Sequence, residues 1–578
     1  MSQVHTYFET SYISISNEVL CSRIPRSPSD FMGTAGQDYP AAPHCPRHAS
    51  FTTSLGSEAI KDTETTPCHP KSAAAGNLKK FYARDAADYQ RNLAREYGPI
   101  VRLSGFLGAP ILYVSDSKAL HTILIKEEHI FQETPESIAN NTVVFGAHSL
   151  LSTLGAQHGR QRKLLNPVFS ANHMRHMLPL FYTVIHKLRS AIASRVSEGQ
   201  REIDMLGWMG RVALELVGQG GLGYSFDPLV TDSTDTYGEA LKSLVPALSV
   251  MMLYRKVAVI AQYVLPAWLR RAVVDAFPSG TEVHKLKNII NTMDSRAREI
   301  YNAKKDAFAK GDATVVKQIA EGNDIISILM RANSVADAAE RLSEEEVIHQ
   351  MSLLISAGMD TTSNALSRIL HLLAQNPDVQ DKLRQELLAA GAADVMTYDD
   401  LNHLRFLDSV CRETLRVYPP VTILSRIADK DTVLPLSEPI YGADGTRMDE
   451  IPIAKGSEVL LGFLGCNTST AIWGEDAHEW KPERWLSSLP SAVTDAHIPG
   501  VYSNLMTFLG GKRACIGFKF SEMETKVVLA VLISNFTFEL SDKPIEWNVA
   551  PVWYPTVGKD DKEPRMPLKV GLYKGSWA

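Results

Sequence analysis

The sequence predicts a mainly α fold with a minor β portion, organised as one large domain from residue 76 onward. Three observations carry this expectation. Long stretches with helical spacing dominate from roughly 160 to 418, with no internal repeat and no obvious linker. One of them, LSEEEVIHQMSLLISAGMDTTSNALSRILHLLAQNP, spans about 50 Å as a helix, enough to cross the middle of a large domain. Strand-like runs are short and scattered: SEVLLGF, FTFEL, and the alternation Leu568, Val570, Leu572.

Taken in order, residues 1–75 are rich in Ser, Thr, Pro and His, lack a sustained hydrophobic period, and read as a disordered or atypical extension. Cys45, His48, Cys68 and His69 within it match no zinc spacing. NLKKFYARDAADYQRNLAREYGP reads as one amphipathic helix stopped by Gly98 and Pro99. IVRLSG and ILYVSD, joined by a Gly/Pro loop, read as a hairpin. HGRQRKLLNPVFS opens a further helix with Arg160, Arg162 and Lys163, which form either a solvated basic patch or a grip on an anionic group with a docking surface beside it. Val250 to Val274 mixes aromatic and basic residues in a way suited to a lipid interface.

The long helix announces its start with a capping box, Ser343 and Glu346, and its end with Pro377. Val347, Met351, Leu354, Ile355, Ala365, Ile369 and Leu373 keep helical spacing, but Ala357-Gly358-Met359-Asp360-Thr361-Thr362 interrupts the apolar pattern. A mid-helix glycine costs about 1 kcal/mol relative to alanine. The acid and hydroxyls that follow can bond to backbone carbonyls and loosen the local ladder. Such a stretch is either a buried polar kink or a small flat surface beside a proton-delivery group. Downstream, Glu413 and Arg416 in CRETLRVYPP share a helix face, and WKPERW supplies Arg484. A glutamate accepting from two arginines can be buried without an uncompensated charge.

Composition narrows the function classes. The chain has 578 residues, 45% hydrophobic and 21% charged, with a net charge of −6, which argues against wholesale nucleic-acid binding. Only Cys411, Cys466 and Cys515 lie beyond residue 75, so the chain has no disulfide framework and suits a reducing compartment. No run reaches the ~18 apolar residues needed to span a bilayer, and no secretory signal is visible, so a soluble or peripherally attached protein is expected.

One cysteine stands apart. FLGGKRACIG places Cys515 in a cationic, glycine-rich turn before FKFSEMETKVVLAVLISNF, which has the character of a buried helix. Unpaired N–H groups at that helix's mouth are expected to face the sulfur, lower its pKa and favour thiolate.

These elements, in this order, resemble the cytochrome P-450 family of haem-thiolate monooxygenases, most closely its fungal members, over residues 76–578. Phe508, Gly511, Arg513, Cys515 and Gly517 fill the family's F-x-x-G-x-R-x-C-x-G haem-binding pattern. Ala357, Gly358, Asp360, Thr361 and Thr362 match its A-G-x-D-T-T pattern, Glu413 and Arg416 its E-x-x-R pair, and Pro482, Glu483 and Arg484 its P-E-R element. Two departures stand out. His158 occupies the position, four before Arg162, where the family usually has tryptophan, and residues 1–75 replace the expected membrane helix.

The resemblance implies haem b, with Cys515 as axial ligand of the iron and with electrons from NADPH through a reductase. It implies that Arg513, Arg162 and Arg426 hold the haem's carboxylates, with His158 donating beside them and Phe508, Gly511 and Gly517 shaping the ligand loop. Gly358 is expected to open the distal face, with Thr361 and Asp360 handling protons, and Glu413, Arg416 and Arg484 to be structural. Arg160, Lys163, Lys512 and Lys519 are expected to dock an acidic reductase at the cytosolic face of the endoplasmic reticulum. Insertion of one oxygen atom into a lipophilic substrate such as a terpenoid, steroid or polyketide is the leading reading. A haem-thiolate isomerase or dehydratase, or a non-catalytic haem protein, would not need the Asp360–Thr361 pair. Substrate contacts are expected within 131–150, 245–270, Ile355–Met359, Val421–Leu424 and Val552–Tyr554.

Overall fold

The computed structural model describes residues 76–578, apart from 310–323, 338–339, 443–444, 574, 576–578 and many positions between 228 and 264. The extension 1–75 and most of the segment expected to touch a membrane lie outside the described residues.

Order starts with helix α1 (Ala87–Tyr97). The single helix expected here is two: a short turn, Leu78–Phe81, is separated from α1 by residues 82–86. The break has a purpose. It frees the Arg84 carbonyl to accept from Val549 at 2.8 Å, while the guanidinium donates to Asn548 Oδ1 at 2.6 Å and to Thr556 Oγ1 at 3.0 Å. Gly98, at φ 99°, ends α1 as expected.

The expected hairpin follows as β1 (Ile100–Ser104) and β2 (Pro110–Val114), antiparallel with Val101 opposite Tyr113. After β3 (Phe131–Gln132) and the helix Pro135–Phe145 come α2 (Gly155–Leu165) and α3 (Ala171–Ser197). Then come β4 (Glu202–Asp204), α4 (Met205–Leu216), α5 (Glu344–Gln375) and α6 (Arg405–Val417). Strands return as β5 (Ile423–Ala428), β6 (Thr432–Tyr441), β7 (Arg447–Ile453) and β8 (Glu458–Gly462). Helix α7 (Phe518–Asn535) leads into β9 (Phe536–Leu540), β10 (Ile545–Asn548), β11 (Tyr554–Val557) and β12 (Pro567–Leu572).

The largest sheet runs β1-β2-β8-β5-β3, with β2 and β8 parallel and its other neighbours antiparallel. A second sheet, β4-β12-β9, sets Val570 opposite Phe538, which explains the alternation read near the C-terminus. Most of the mass is helical, and its principal core gathers apolar residues of α3, α4, α5 and α7.

Helix α5 has the capping box read from the sequence: Ser343 Oγ accepts from Glu346 N at 3.2 Å, and Glu346 accepts from Ser343 N at 2.9 Å. Along it, Ile355, Leu366, Ile369 and Leu373 are fully buried. The central polar stretch does not interrupt the helix. Thr361 Oγ1 donates to Ala357 O at 2.8 Å and Asn364 Nδ2 to Asp360 O at 2.9 Å, yet the ladder continues on both sides. Back-bonding of this kind occupies the hydroxyl without unwinding the backbone.

Gly358 has a packing role that its spacing did not reveal. A Cβ built there would lie 2.6 Å from Val217 Cγ2, in the π-helical turn Val217–Leu222 that follows α4. Its missing side chain permits close packing of α5 against that turn, while the residue keeps some accessible surface. Gly358→Ala should destabilise the protein by about 1–3 kcal/mol through overpacking. The Gly358→Ala/Val217→Ala pair should recover part of that loss, as read by thermal unfolding midpoints; equal midpoints for the single and double variants would exclude the contact as the cause.

Candidate active site

The cysteine-bearing loop is held from outside itself. Gly511 has φ 70°, a conformation suited to glycine, and a Cβ there would fall 2.2 Å from the Leu124 carbonyl. A Cβ on Gly510 would fall 1.5 Å from Pro499 O. Phe508 packs edge-on against Tyr502, with centroids 5.3 Å apart, and its carbonyl accepts from the Cys515 amide at 2.8 Å.

Of the cysteines among the described residues, Cys411 and Cys466 are buried and only Cys515 presents accessible surface. The protein around it is nevertheless dense enough for desolvation to act on its thiol. The two facts together fit a sulfur that faces a recess in the fold. Burial pushes the thiol above its ordinary value, and the Gly517 N–H and the charge of Arg162 offset this only in part. The expected lowered pKa is therefore not found. Gly517 sits at the N-cap of α7, but a single amide and one guanidinium do not outweigh desolvation. A cation placed directly on the sulfur would be needed to stabilise thiolate, which is what a coordinated metal does.

Beside the loop, Arg162 from α2, Arg426 from β5 and Arg513 converge with His158. Glu133, which the sequence reading did not single out, lies 3.2 Å from Arg513 Nε and 3.3 Å from Arg426 Nη2. Arg162 has no carboxylate partner among the described residues. Burial lowers all three guanidiniums' pKa; for Arg513, Glu133 opposes that effect while Arg426 and Arg162 add to it. His158, buried and facing Arg513 and Arg162, is pushed down to about 3 and is neutral at physiological pH. Glu133 thus serves two of the three guanidiniums, and Glu128, which also acts on Arg426 and Arg513, is paired with Lys512. The cluster is short of negative charge and fits an anionic ligand with more than one carboxylate.

The centre of α5 also keeps accessible surface. Ala357 is exposed although its neighbours Ile355, Ser356 and Met359 are buried. Asp360 is half-buried with no cation beside it, and desolvation pushes its carboxyl up to about 7. Thr361 keeps accessible surface, whereas Thr362 is buried and meets Ser521 of α7 at 3.0 Å between hydroxyl oxygens. The two adjacent threonines therefore differ in role: Thr362 joins helices, and Thr361 remains available. Leu424 is 39% exposed although β5 is paired on both edges. Val552 and Tyr554 instead pack into a small buried cluster with Val421 beside them.

Glu413, Arg416 and Arg484 form one buried knot rather than a surface pair. Glu413 and Arg416 are fully buried and meet in two bonds of 2.8 Å, while Arg484 Nε reaches Glu413 at 3.3 Å. The Lys481 amide and Trp485 Nε1 complete the carboxylate's partners at 3.0 and 2.9 Å. Arg416 also donates to the Asn467 and Glu479 carbonyls at 3.0 and 3.1 Å. Asn467 in turn bonds Met506 N at 2.8 Å and Thr507 Oγ1 at 2.9 Å, immediately before the cysteine loop. The knot therefore reaches that loop through Asn467.

The basic residues expected to dock a partner are not equivalent. Arg160 is committed to Glu346 at 2.5 Å and stands only partly exposed, so its expected docking role is not supported. Lys163 faces Glu340 at 3.1 Å, and Lys512, 76% exposed, faces Glu128 at 3.2 Å. Lys519 lies over the Phe518 ring.

Comparison with known proteins agrees with this arrangement. The family model for cytochrome P-450 matches residues 67–551. The chain is 59% identical over 505 residues, 87% of its own length and 92% of the relative's, to a cytochrome P-450 monooxygenase of Postia placenta. It is 48% identical over 513 residues, 88% of its own length and 93% of the relative's, to a ganoderic acid synthetase of Ganoderma lucidum. A cytochrome P-450 monooxygenase of Hericium erinaceus is 39% identical over 511 residues, 86% of this chain and 91% of the relative.

Glu413→Ala would leave Arg416 buried with its main anion gone, a loss on the order of 3–5 kcal/mol. It should sharply reduce the yield of folded protein, and replacing Arg416 instead should do the same. A Glu413→Ala protein with the parent's unfolding midpoint would show the knot to be dispensable.

Proposed function

The chain belongs to the cytochrome P-450 family of haem-dependent monooxygenases, and from that premise we propose the following roles for its residues and the following class of substrate. The family uses haem b and takes electrons from NADPH through a reductase. The haem domain is residues 76–578, preceded by the extension 1–75.

Cys515 binds the iron as thiolate. The observation that carries this is the one accessible cysteine among the described residues, beside a guanidinium cluster in which Arg162 has no carboxylate partner and Arg426 and Arg513 share Glu133. Arg162, Arg426 and Arg513 bind the two carboxylates of the macrocycle, and neutral His158 donates a hydrogen bond without adding charge. When bound, the haem supplies the activation of dioxygen and the oxidising power for oxygen insertion. The protein's part is to place substrate, exclude bulk water and meter protons. Thr361, whose hydroxyl here donates to Ala357 O, can turn toward the interior and hand on a proton. Asp360, with its carboxyl near 7, both gives and takes protons at neutral pH.

The substrate is lipophilic and belongs to secondary metabolism, of terpenoid, steroid or polyketide type. Support comes from the apolar surface that Leu424 and Ala357 present to the interior and from the likeness to a ganoderic acid synthetase. The enzyme works at the cytosolic face of the endoplasmic reticulum and receives electrons at the surface that carries Lys163, Lys512 and Lys519. No helix among the described residues is long and apolar enough to cross a membrane. Trp268, 66% exposed on the helix Ala267–Asp275, suits contact with a lipid surface instead.

Cys515→Ala should abolish the strongly red-shifted carbon monoxide band of the reduced protein; survival of the band would assign the iron to another ligand. Thr361→Ala should retain haem and continue to consume NADPH, with less product and more hydrogen peroxide released per NADPH. An unchanged product yield would remove Thr361 from proton delivery. Because Asp360 loses its proton as pH rises through about 7, product formation should decline along that limb. Asp360→Asn should slow turnover by about 10²-fold or more and flatten the limb, as read from the pH profile of product formation.

A further inference from the structure

Around Arg513, two side chains that the catalytic reading does not use are among the most completely bonded in the molecule. Gln161 on α2 and Gln350 on α5 are both fully buried. Each turns its amide toward residues 146–154, a stretch without regular secondary structure that lies between α2 and the N-terminal end of α5. Backbone groups in such a stretch need partners from elsewhere when they are buried. Gln350 donates to the His148 carbonyl at 2.9 Å and accepts from the Leu150 amide at 3.0 Å. Gln161 donates to the same His148 carbonyl at 2.8 Å and to Glu346 at 3.1 Å, and accepts from Thr153 Oγ1 at 2.8 Å.

The turn held in this way offers its own carbonyls to one side chain. Arg513 Nη2 donates to Thr153 O at 2.7 Å and Nη1 to Leu150 O at 3.3 Å, while Nε faces Glu133. Leu150 is thus gripped at its N–H by Gln350 and passes its C=O to Arg513. Thr153 is gripped at its hydroxyl by Gln161 and does the same. A guanidinium is a rigid planar fork, so two fixed acceptors and one carboxylate set both its position and its plane.

We propose that Gln161 and Gln350 are positioning residues for Arg513, acting through the Leu150 and Thr153 carbonyls to set the guanidinium for a carboxylate of the haem. The inference rests on the reading of Arg513 as part of the haem grip. Its consequence is a direct link between the two sides of the site. Glu346, which caps α5, also receives Gln161 and Arg160 of α2, so the helix that carries Asp360 and Thr361 is tied to the turn that orients Arg513.

The test uses the full-length holoenzyme and follows transfer of haem to excess apomyoglobin, together with the haem reduction potential. Gln161→Leu and Gln350→Leu should each speed haem loss about tenfold, as expected for two broken hydrogen bonds, and shift the potential in the direction that Arg513→Leu shifts it. In the Gln350→Leu/Arg513→Leu double variant, haem loss should match Arg513→Leu alone, since the glutamine has nothing left to position. Gln380→Leu removes an equally buried amide bonded to Leu373 and Phe538, away from this turn. It should lower stability without speeding haem loss. If Arg513→Leu releases haem no faster than the parent, the grip reading itself fails. If Arg513→Leu speeds release but the glutamine variants do not, or if the effects multiply in the double variant, the positioning role is overturned. Should a leucine variant not accumulate as holoprotein, Thr153→Val removes only the hydroxyl that Gln161 accepts. It must speed haem loss in the same sense, and Thr153→Ser must restore the parent rate; an unchanged rate in Thr153→Val also overturns the role.

Discussion

The burial of one carboxylate, Glu413, organises the part of the molecule on which the cysteine loop depends. A charge with no exposed surface is tolerated only when every lone pair is engaged, and here two arginines, an indole and a backbone amide engage it. The same arginine that neutralises it reaches the Asn467 carbonyl, and Asn467 bonds the backbone and side chain just ahead of Phe508. Thr507 adds a bond to the Leu415 carbonyl at 2.7 Å, returning the loop to α6. The loop's shape is therefore fixed from α6 outward. Gly510 and Gly511 allow close approach to Pro499 and Leu124 on its other side.

The chemistry rests on desolvation acting on opposite charges in neighbouring places. Burial raises the Cys515 thiol and lowers the guanidiniums of Arg162, Arg426 and Arg513. Both shifts disfavour charge, and both are reversed by a ligand that brings a metal cation to the sulfur and carboxylates to the arginines. A single prosthetic group with both features relieves the two penalties together, so ligand binding and folding of this region are coupled.

Helix α5 joins the two sides of the site because it serves three functions at separate positions. Its capping box is shared with α2 through Glu346, its middle offers Ala357 and Thr361 to the interior, and Thr362 anchors it to α7. The polar centre is compatible with a continuous helix because each hydroxyl or amide donor there finds either a carbonyl one turn back or a hydroxyl on a neighbour. Gly358 packs this helix against Val217 and keeps some accessible surface, with Ala357 beside it the more exposed.

Local features were legible in the chain itself. The capping box of α5, the stop at Gly98, the first hairpin, the period-2 run of β12 and the cysteine loop before α7 are each written within a few consecutive residues, because capping, turn geometry and side-chain alternation are short-range. The motif residues could be named from spacing for the same reason. Tertiary structure alone decided what depends on distant partners. Glu133 and Gln350 carry no local pattern and meet Arg513 or its acceptor Leu150 far away in the chain. Gln161, eight residues from Thr153, gains its meaning only because Thr153 accepts from the distant Arg513. The Cys515 pKa depended on how much protein encloses the sulfur, Arg160 was drawn away by Glu346, and Gly358 was explained by Val217 on another helix. Burial and close approach are properties of the packed whole, so a linear pattern can propose a residue's chemistry but cannot say what surrounds it.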